Sequence, residues 1–269
     1  LQVDQWLVFH GTACDAQRGN AKRRRELVPG KSIRRNIVFF FQPVLPEGQA
    51  VDHERIIIAP SLLAGDFTQL GHEAQRVAAA GADWLHLDIM DGHFVDNISF
   101  GPAVVAAMRK SVQIPLDVHL MISHPDHYLS RFVEAGAHSI LVHPEAEHDA
   151  ATTLRAIREG GCLAGLAINP ETPLESVEQH LPNIDLLLVM TVHPGFGGQK
   201  FIAPTMDKVS RAAVLRKERG WSYHIEVDGG INAETALISR RHGANVMVAG
   251  TSVFGAPNAA EAIRSLREG

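Results

Sequence analysis

The sequence predicts a (β/α)₈ barrel, and three observations carry that reading. From about Arg55 onward, short β-rich runs alternate with amphipathic segments, and eight such runs can be counted. The alternation fills about 215 residues, inside the span of about 200 to 400 residues that such barrels occupy. One join is used three times: GAD at 81–83, GAH at 136–138 and GAN at 243–245 each lie between a helical pattern and a strand. Glycine just past a helix end accepts the left-handed conformation that stops the helix. An open, doubly wound sheet is the alternative, but nothing resembling GxGxxG follows the first strand.

In chain order, the first strand is the apolar run at 56–59, followed by the helical spacing of Leu70, Ala74, Val77 and Gly81. The second strand, 84–89, reads WLHLDI. Residues two apart share a face of a strand, so Trp84, His86 and Asp88 lie on one side and Leu85, Leu87 and Ile89 on the other. The third strand, 116–120, lies in LDVHLM, where Asp117, His119 and Met121 share a face. Leu129, Phe132, Val133 and Gly136, at i, i+3, i+4 and i+7, give a helix before the fourth strand at 139–142. The fifth and sixth strands are 163–168 and 186–190. The seventh, 224–227, aligns His224, Glu226 and Asp228, and the eighth is 246–249.

Residues 53–269 form the barrel in this reading, and 1–52 an extension outside it. The extension carries Lys22, Arg23, Arg24 and Arg25, then Arg34 and Arg35, then an apolar run at 37–41. These basic residues lie far from the terminus and no small-residue cleavage site follows, which argues against a signal peptide. Scarce serine argues against an organelle address. The chain begins with Leu rather than Met, and translation of an upstream region from an unusual start codon would account for both features. The extension is expected to be poorly ordered and to take no part in the chemistry.

With 45% hydrophobic and 20% charged residues, the 269-residue chain has globular composition. A formal net charge of −5 and a pI near 6.3 give no support to a nucleic-acid partner. No apolar run is long enough to span a membrane. Two cysteines, Cys14 and Cys162, are too few for a disulfide framework and suit a reducing compartment, so a cytoplasmic location is expected.

Barrel chemistry sits at the C-terminal ends of the strands. That rim offers His86, Asp88, His119 and Asp228. A single His-x-Asp pair is ordinarily a hydrogen-bonded structural pair, but four such residues on one rim are much harder to explain that way. Two imidazoles and two carboxylates suit one divalent metal ion, Zn, Fe, Mn or Co, without choosing among them. Strands two and seven lie almost opposite each other in an eight-stranded ring, so Asp88 and Asp228 would face a substrate from two sides with the metal between. Two carboxylates on opposite faces of one carbon can take a proton from one side and return it to the other, inverting a stereocentre. That carbon must adjoin a carbonyl, and the metal would hold the resulting enediolate oxygens.

A phosphate site is expected from HPGFGGQ (193–199) after strand six, from Gly229 and Gly230 after strand seven, and from Gly250, Thr251 and Ser252 after strand eight. Glycine-rich loops let backbone N–H groups approach an anion closely. Any one of these loops alone reads as a tight turn; three neighbours together read as a phosphate cradle. One layer deeper, Asp117 and Glu226 are costly unless paired. At least one of them is expected to accept the ring N–H of a metal-bound histidine and fix its tautomer. His143, at the end of the fourth strand, is expected to line the pocket, and His242, near a helix end, to be solvated.

The motifs resemble the ribulose-phosphate 3-epimerase family. The resemblance covers about residues 55–269 and rests on IAPSLLAGDF (58–67), HLDIMDGHFV (86–95), FGP (100–102), DVHLMI (117–122), HPEA (143–146), GLAINPETP (165–173), VMTVHPGFGGQKF (189–201), EVDGGI (226–231) and AGTSVF (249–254). It implies a sugar-phosphate substrate, with interconversion of D-ribulose 5-phosphate and D-xylulose 5-phosphate. It implies metal ligands at His86, Asp88, His119 and Asp228, with Asp88 and Asp228 as the acid/base pair and Ser61 near the substrate. It implies a phosphate end held by Gly195, Phe196, Gly197, Gly198, Gly229, Gly230, Gly250 and Thr251, and a homo-oligomer, dimeric or larger. Two positions depart from the family pattern: His193 stands where asparagine is more usual, and Asp96 where proline is.

Three other readings compete. An epimerase of another ketose phosphate would keep the metal and carboxylates and change only the pocket walls. A metal-dependent aldolase or decarboxylase has little support, because no strand-end lysine is placed for a Schiff base. A catalytically silent barrel acting as a scaffold would have lost an acid/base residue, and both are present.

Overall fold

The computed structural model describes residues 52–268, so the expected extension, Asp52 apart, lies outside the described residues, as does Cys14. Eight parallel strands follow one another: β1 (Ile57–Pro60), β2 (Leu85–Met90), β3 (Leu116–Met121), β4 (Ser139–Val142), β5 (Leu163–Ile168), β6 (Leu186–Met190), β7 (His224–Asp228) and β8 (Val246–Ala249). Strands β2 to β8 pair in sequence order, and β1 pairs with β8. A single parallel bridge from Ser61 to His86 spans the last seam, between β1 and β2, so the sheet nearly closes on itself. The strand limits differ from the sequence reading by one residue at β1, β2, β3 and β7.

The helices are α1 (Leu70–Ala79), α2 (Pro102–Ser111), α3 (Leu129–Glu134), α4 (Ala150–Glu159), α5 (Met206–Arg219), α6 (Ala233–Arg241), α7 (Thr251–Phe254) and α8 (Ala259–Glu268). Their starts have local causes. The Asp149 carboxylate accepts the Thr152 N–H at the head of α4, and Asn232 and Thr235 cap α6 reciprocally. Pro102 occupies the first turn of α2, where a missing N–H costs nothing. Their ends are the repeated glycine join: Gly81, Gly136 and Gly243 take φ of 96°, 93° and 103°.

The alternation breaks once. Between β5 and β6 stand two 3₁₀ segments, Leu174–Ser176 and Glu178–Asn183, in place of an α-helix. Pro170, Pro173 and Pro182 account for it, because each removes a backbone donor and disfavours the α region in the residue before it.

The strands alternate as their sequence pattern requires. Leu85, Leu87 and Ile89 face outward into the layer shared with the helices, together with residues such as Val118, Leu166, Leu187 and Val227. Each such fully buried aliphatic side chain contributes about 1.5–3 kcal/mol of hydrophobic stabilisation. Inside the barrel a second, smaller apolar cluster contains Ile57, Trp84, Leu141, Leu186, Leu188 and Val246. Trp84 fills its lower end, with its ring edge-on to His224 at 5.6 Å. Gly165 makes room there: a Cβ at this position would lie 2.7 Å from Leu141 Cγ. The upper interior breaks the apolar rule, since His86, Asp88, Asp117, His119 and Glu226 are all buried inside β2, β3 and β7. Buried charge of this density is retained where it is paired, and where chemistry uses it.

Candidate active site

Parallel pairing of β2 and β3 sets His86 opposite Asp117 and Asp88 opposite His119. This register puts an acid beside each imidazole. From the far side, Asp228 ends β7. One potential ligand atom from each of His86, Asp88, His119 and Asp228 lies within 4.8 Å of the others.

Above this cluster a cavity of about 700 Å³ opens at the C-terminal rim. Asp88 and Asp228 line it, as do Ser61, Gly195, Phe196, Gly197, Gly198, Gly229, Gly230, Gly250 and Thr251. Met90, Met121 and Met190 add an apolar floor. His86 and His119 are fully buried beneath the carboxylates rather than in the cavity wall. The structure thus brings together the four expected ligands, Ser61 and the glycine loops, in two tiers. Gly229 and Gly230 need φ of 120° and 66°, and a Cβ on Gly230 would meet the Phe201 backbone nitrogen at 2.6 Å. Backbone can come this close to a bound anion only where no side chain intervenes.

The two carboxylates have opposite surroundings. Oδ2 of Asp88 accepts the Ser61 hydroxyl at 2.5 Å, while its Oδ1 faces His86 Nε2 at 3.3 Å and His119 Nδ1 at 3.4 Å. Burial alone would raise its pKa, but the His86 charge and the two histidine contacts outweigh that and hold it well below the usual carboxylate range. Asp228 is pushed up to about 7, by burial first and then by the negative charge of Asp88. Burial drives His119 down to about 4. For His86, burial is outweighed by the Asp88 charge and by bonds to Asp117, so its pKa is raised.

The deeper layer answers the expectation about Asp117. His86 Nδ1 is 2.7 Å from Asp117 Oδ2, and a carboxylate only accepts, so Nδ1 carries the hydrogen. Asp117 also takes the Ser139 hydroxyl. Glu226 lies 3.5 Å from the same imidazole nitrogen, and burial next to the Asp117 charge raises its pKa well above the usual range. On its other side His86 Nε2 faces Asp88 Oδ1 at 3.3 Å, and that buried nitrogen makes no hydrogen bond. Two imidazoles and two carboxylates with an orphaned buried donor atom fit a divalent cation of the transition series.

This constellation can be compared with known proteins. A family model described as "Ribulose-phosphate 3 epimerase family" matches residues 57–254. The chain belongs to that family. It is 46% identical over 213 residues to ribulose-phosphate 3-epimerase of Bacillus subtilis, covering 79% of this chain and 98% of that protein. A Synechocystis protein of the same name is 48% identical over 218 residues, covering 80% of this chain and 94% of the relative. A chloroplastic ribulose-5-phosphate-3-epimerase of Arabidopsis thaliana is 44% identical, over 79% of this chain and 76% of its own length. Among solved structures, a tryptophan synthase α-subunit from Pyrococcus furiosus aligns with a TM-score of 0.59 at 16% identity, covering 82% of this chain and 98% of that one. A 3-hexulose-6-phosphate synthase aligns at 0.56 and 18%, covering 79% and 98%. These two share the fold. The epimerase family makes the chain an enzyme, an isomerase acting on carbohydrates.

Two expectations are corrected. His143 does not line the cavity; it is fully buried, with its ring against His119 at 2.8 Å between the two Nε2 atoms. Its position at the end of β4 signalled proximity to the rim, but not that the side chain lies behind His119. His242 is also not simply solvated: it is half-buried, with Nδ1 2.9 Å from the Ile238 carbonyl oxygen. Glu145 escaped the sequence reading, although it sits in the quoted HPEA segment. Among the described residues no helix is long and apolar enough to cross a membrane.

Proposed function

We propose that the enzyme interconverts D-ribulose 5-phosphate and D-xylulose 5-phosphate by moving the C3 proton between Asp88 and Asp228. The observation that carries this is the pair itself: two carboxylates, Asp88 from β2 and Asp228 from β7, that line one cavity from opposite sides of the barrel. A two-base inversion needs one base without a proton and one acid with it at the start of turnover. The family membership supports the substrate class.

His86, Asp88, His119 and Asp228 would hold one divalent cation, Zn, Fe, Mn or Co. When bound, the cation supplies positive charge beside substrate oxygens on which negative charge develops. Asp88 turns Oδ1 toward the imidazoles, and Oδ2, bonded to Ser61, is the oxygen that takes the C3 proton. Loss of that proton leaves an enediolate across C2 and C3. Asp228 delivers its proton to the opposite face of C3, which inverts the centre; Asp88 ends protonated and Asp228 ionised, and the roles exchange for the reverse reaction. The backbone at 195–198, 229–230 and 250–251 holds the phosphate, fixing C3 between the two acids. Met90, Met121 and Met190 keep water from the reacting carbon. With this reading go a cytoplasmic location, expected from the two cysteines, and a homo-oligomer, as the family resemblance implies.

The test follows solvent deuterium. Metal-loaded protein incubated with D-ribulose 5-phosphate in D₂O should give xylulose 5-phosphate labelled at C3, and Asp228→Asn should lose that product. No turnover and no exchange, in folded protein with metal bound, would sink the assignment and favour another ketose phosphate.

A further inference from the structure

His143 and Glu145 lie outside the four-residue cluster, and the proton transfer makes no use of them. His143 Nε2 is 2.8 Å from His119 Nε2, and His143 Nδ1 is 3.3 Å from Glu145 Oε2. Both imidazoles are fully buried, so bulk water does not choose which nitrogen carries hydrogen. At 2.8 Å the facing nitrogens must share one hydrogen, since two lone pairs or two N–H groups would repel. The Glu145 carboxylate only accepts, so Nδ1 of His143 is the donor on that side. With one hydrogen on each ring, His143 offers a lone pair at Nε2, and His119 donates from its own Nε2. Two rings with one hydrogen each bring two hydrogens to three contacts, and the contact left without one is the longest, His119 Nδ1 to Asp88 Oδ1 at 3.4 Å, where the cluster would place a cation. A histidine ligates a metal through a lone pair, and the bond made by its other nitrogen decides where that lone pair is.

Glu145 is itself fixed. Its Oε1 accepts the Asn169 N–H at 3.0 Å and the Thr172 hydroxyl. That segment is anchored in turn by the Lys208 ammonium, which donates to the carbonyls of Asn169, Pro170 and Thr172 at 2.7, 3.0 and 2.9 Å. The loop after β5 thus holds Glu145, and Glu145 holds His143. Asp117 does the same for His86 in a single step.

We infer that Glu145 and His143 are positioning residues that set His119 in its Nε2–H tautomer and so present its Nδ1 lone pair to the cluster with His86, Asp88 and Asp228. The inference rests on reading that cluster as a cation site.

Glu145→Gln reverses the chain of bonds while keeping its shape. The Gln carboxamide N–H donates to His143 Nδ1, His143 then carries hydrogen on Nε2, and His119 accepts there and moves its own hydrogen to Nδ1. The experiment uses the full chain, reading ring tautomers from two-bond ¹H–¹⁵N spectra of the metal-free protein and Zn²⁺ affinity by competition with a chromophoric chelator. The parent should show His119 as Nε2–H. Glu145→Gln should show Nδ1–H and bind Zn²⁺ about 10–100-fold more weakly. His143→Gln, whose carboxamide oxygen can accept the same bond, should bind Zn²⁺ more tightly than His143→Leu. A parent spectrum with His119 as Nδ1–H overturns the inference, as does a Glu145→Gln protein unchanged in tautomer and affinity. Should Glu145→Gln not fold, the parent spectrum and the two His143 variants decide, and equal affinity of those two overturns it. If the parent binds no Zn²⁺ at the cluster, the cation reading fails separately, because the His119 tautomer is read without metal.

Discussion

The two walls of the cavity are built from different materials. The wall from β1 to β3 is made of side chains: Asp88 takes the Ser61 hydroxyl and faces two imidazoles, each of which is bonded to a further acid or imidazole. The wall from β6 to β8 is made largely of backbone: glycines at 195, 197, 198, 229, 230 and 250 line the cavity, and no side chain among the described residues donates to the Asp228 carboxylate. The difference separates two tasks. A hydrogen-bonded side-chain wall fixes charge and protonation, while a glycine wall admits an anion to the main chain. Asp228 belongs to the first task by its chemistry and to the second by its place, which is why its proton is held by burial and repulsion rather than by partners.

Breaking each wall should therefore damage a different kinetic constant. Asp88→Asn removes a base without changing size, and kcat should fall by about 10²–10⁴-fold, the usual contribution of a positioned acid or base. Gly230→Ala leaves the acids untouched but places a Cβ 2.6 Å from the Phe201 backbone nitrogen at φ 66°, so the loop must shift. A displacement costing roughly 1–3 kcal/mol should raise KM for the sugar phosphate about 10-fold or more, with a smaller effect on kcat. Steady-state kinetics on both variants checks this, and a Gly230→Ala enzyme that loses kcat at unchanged KM would erase the division.

The pH dependence of stability sharpens the same contrast, measured on chelator-treated protein. Asp228 has a native pKa near 7, so between about pH 4 and 7 the folded form keeps a proton that the unfolded chain has lost. Its contribution to stability therefore falls across that window and levels off above it. Asp88, held low, has the opposite sign: its contribution is present above the usual carboxylate range and is lost as pH falls. Thermal melts should show Asp228→Asn gaining on the parent from pH 4 to 8, by several degrees at the upper end, while Asp88→Asn loses at pH 8. A flat Asp228→Asn difference across the window would mean that the carboxyl titrates normally.

What the sequence revealed follows the same division. Period-two alternation exposed the charged faces of β2, β3 and β7, because a histidine and an acid inside a greasy strand stand out. The glycine runs exposed the backbone wall, and GAD, GAH and GAN exposed the helix ends. The missing helix between β5 and β6 was written in Pro170, Pro173 and Pro182, yet an overall eightfold pattern masked it. The contacts of His143, and Glu145 altogether, stayed hidden for another reason. Their roles depend on which side chain stands behind which, across β3, β4 and the loop after β5, and no spacing within one strand encodes that.

His193 gives the smallest expected effect and the strictest check on the backbone wall. It sits at the head of the glycine loop, with Nδ1 3.2 Å from Glu171 Oε1, but the two side chains are 64% and 68% exposed. An exposed pair of this kind contributes about 0–1 kcal/mol and is screened by salt. The loop is instead tied through main chain: Gln199 Nε2 donates to the carbonyls of His193 and Phe196 at 2.6 and 2.8 Å, bonds that do not depend on the side chain at 193. His193→Asn, the residue more usual in the family, should accordingly leave kcat and KM within about twofold at moderate salt. A change in KM of about 10-fold or more would correspond to roughly 1.4 kcal/mol of lost binding, beyond what a solvated pair supplies. It would place an imidazole in contact with the substrate and turn part of the backbone wall into a side-chain wall.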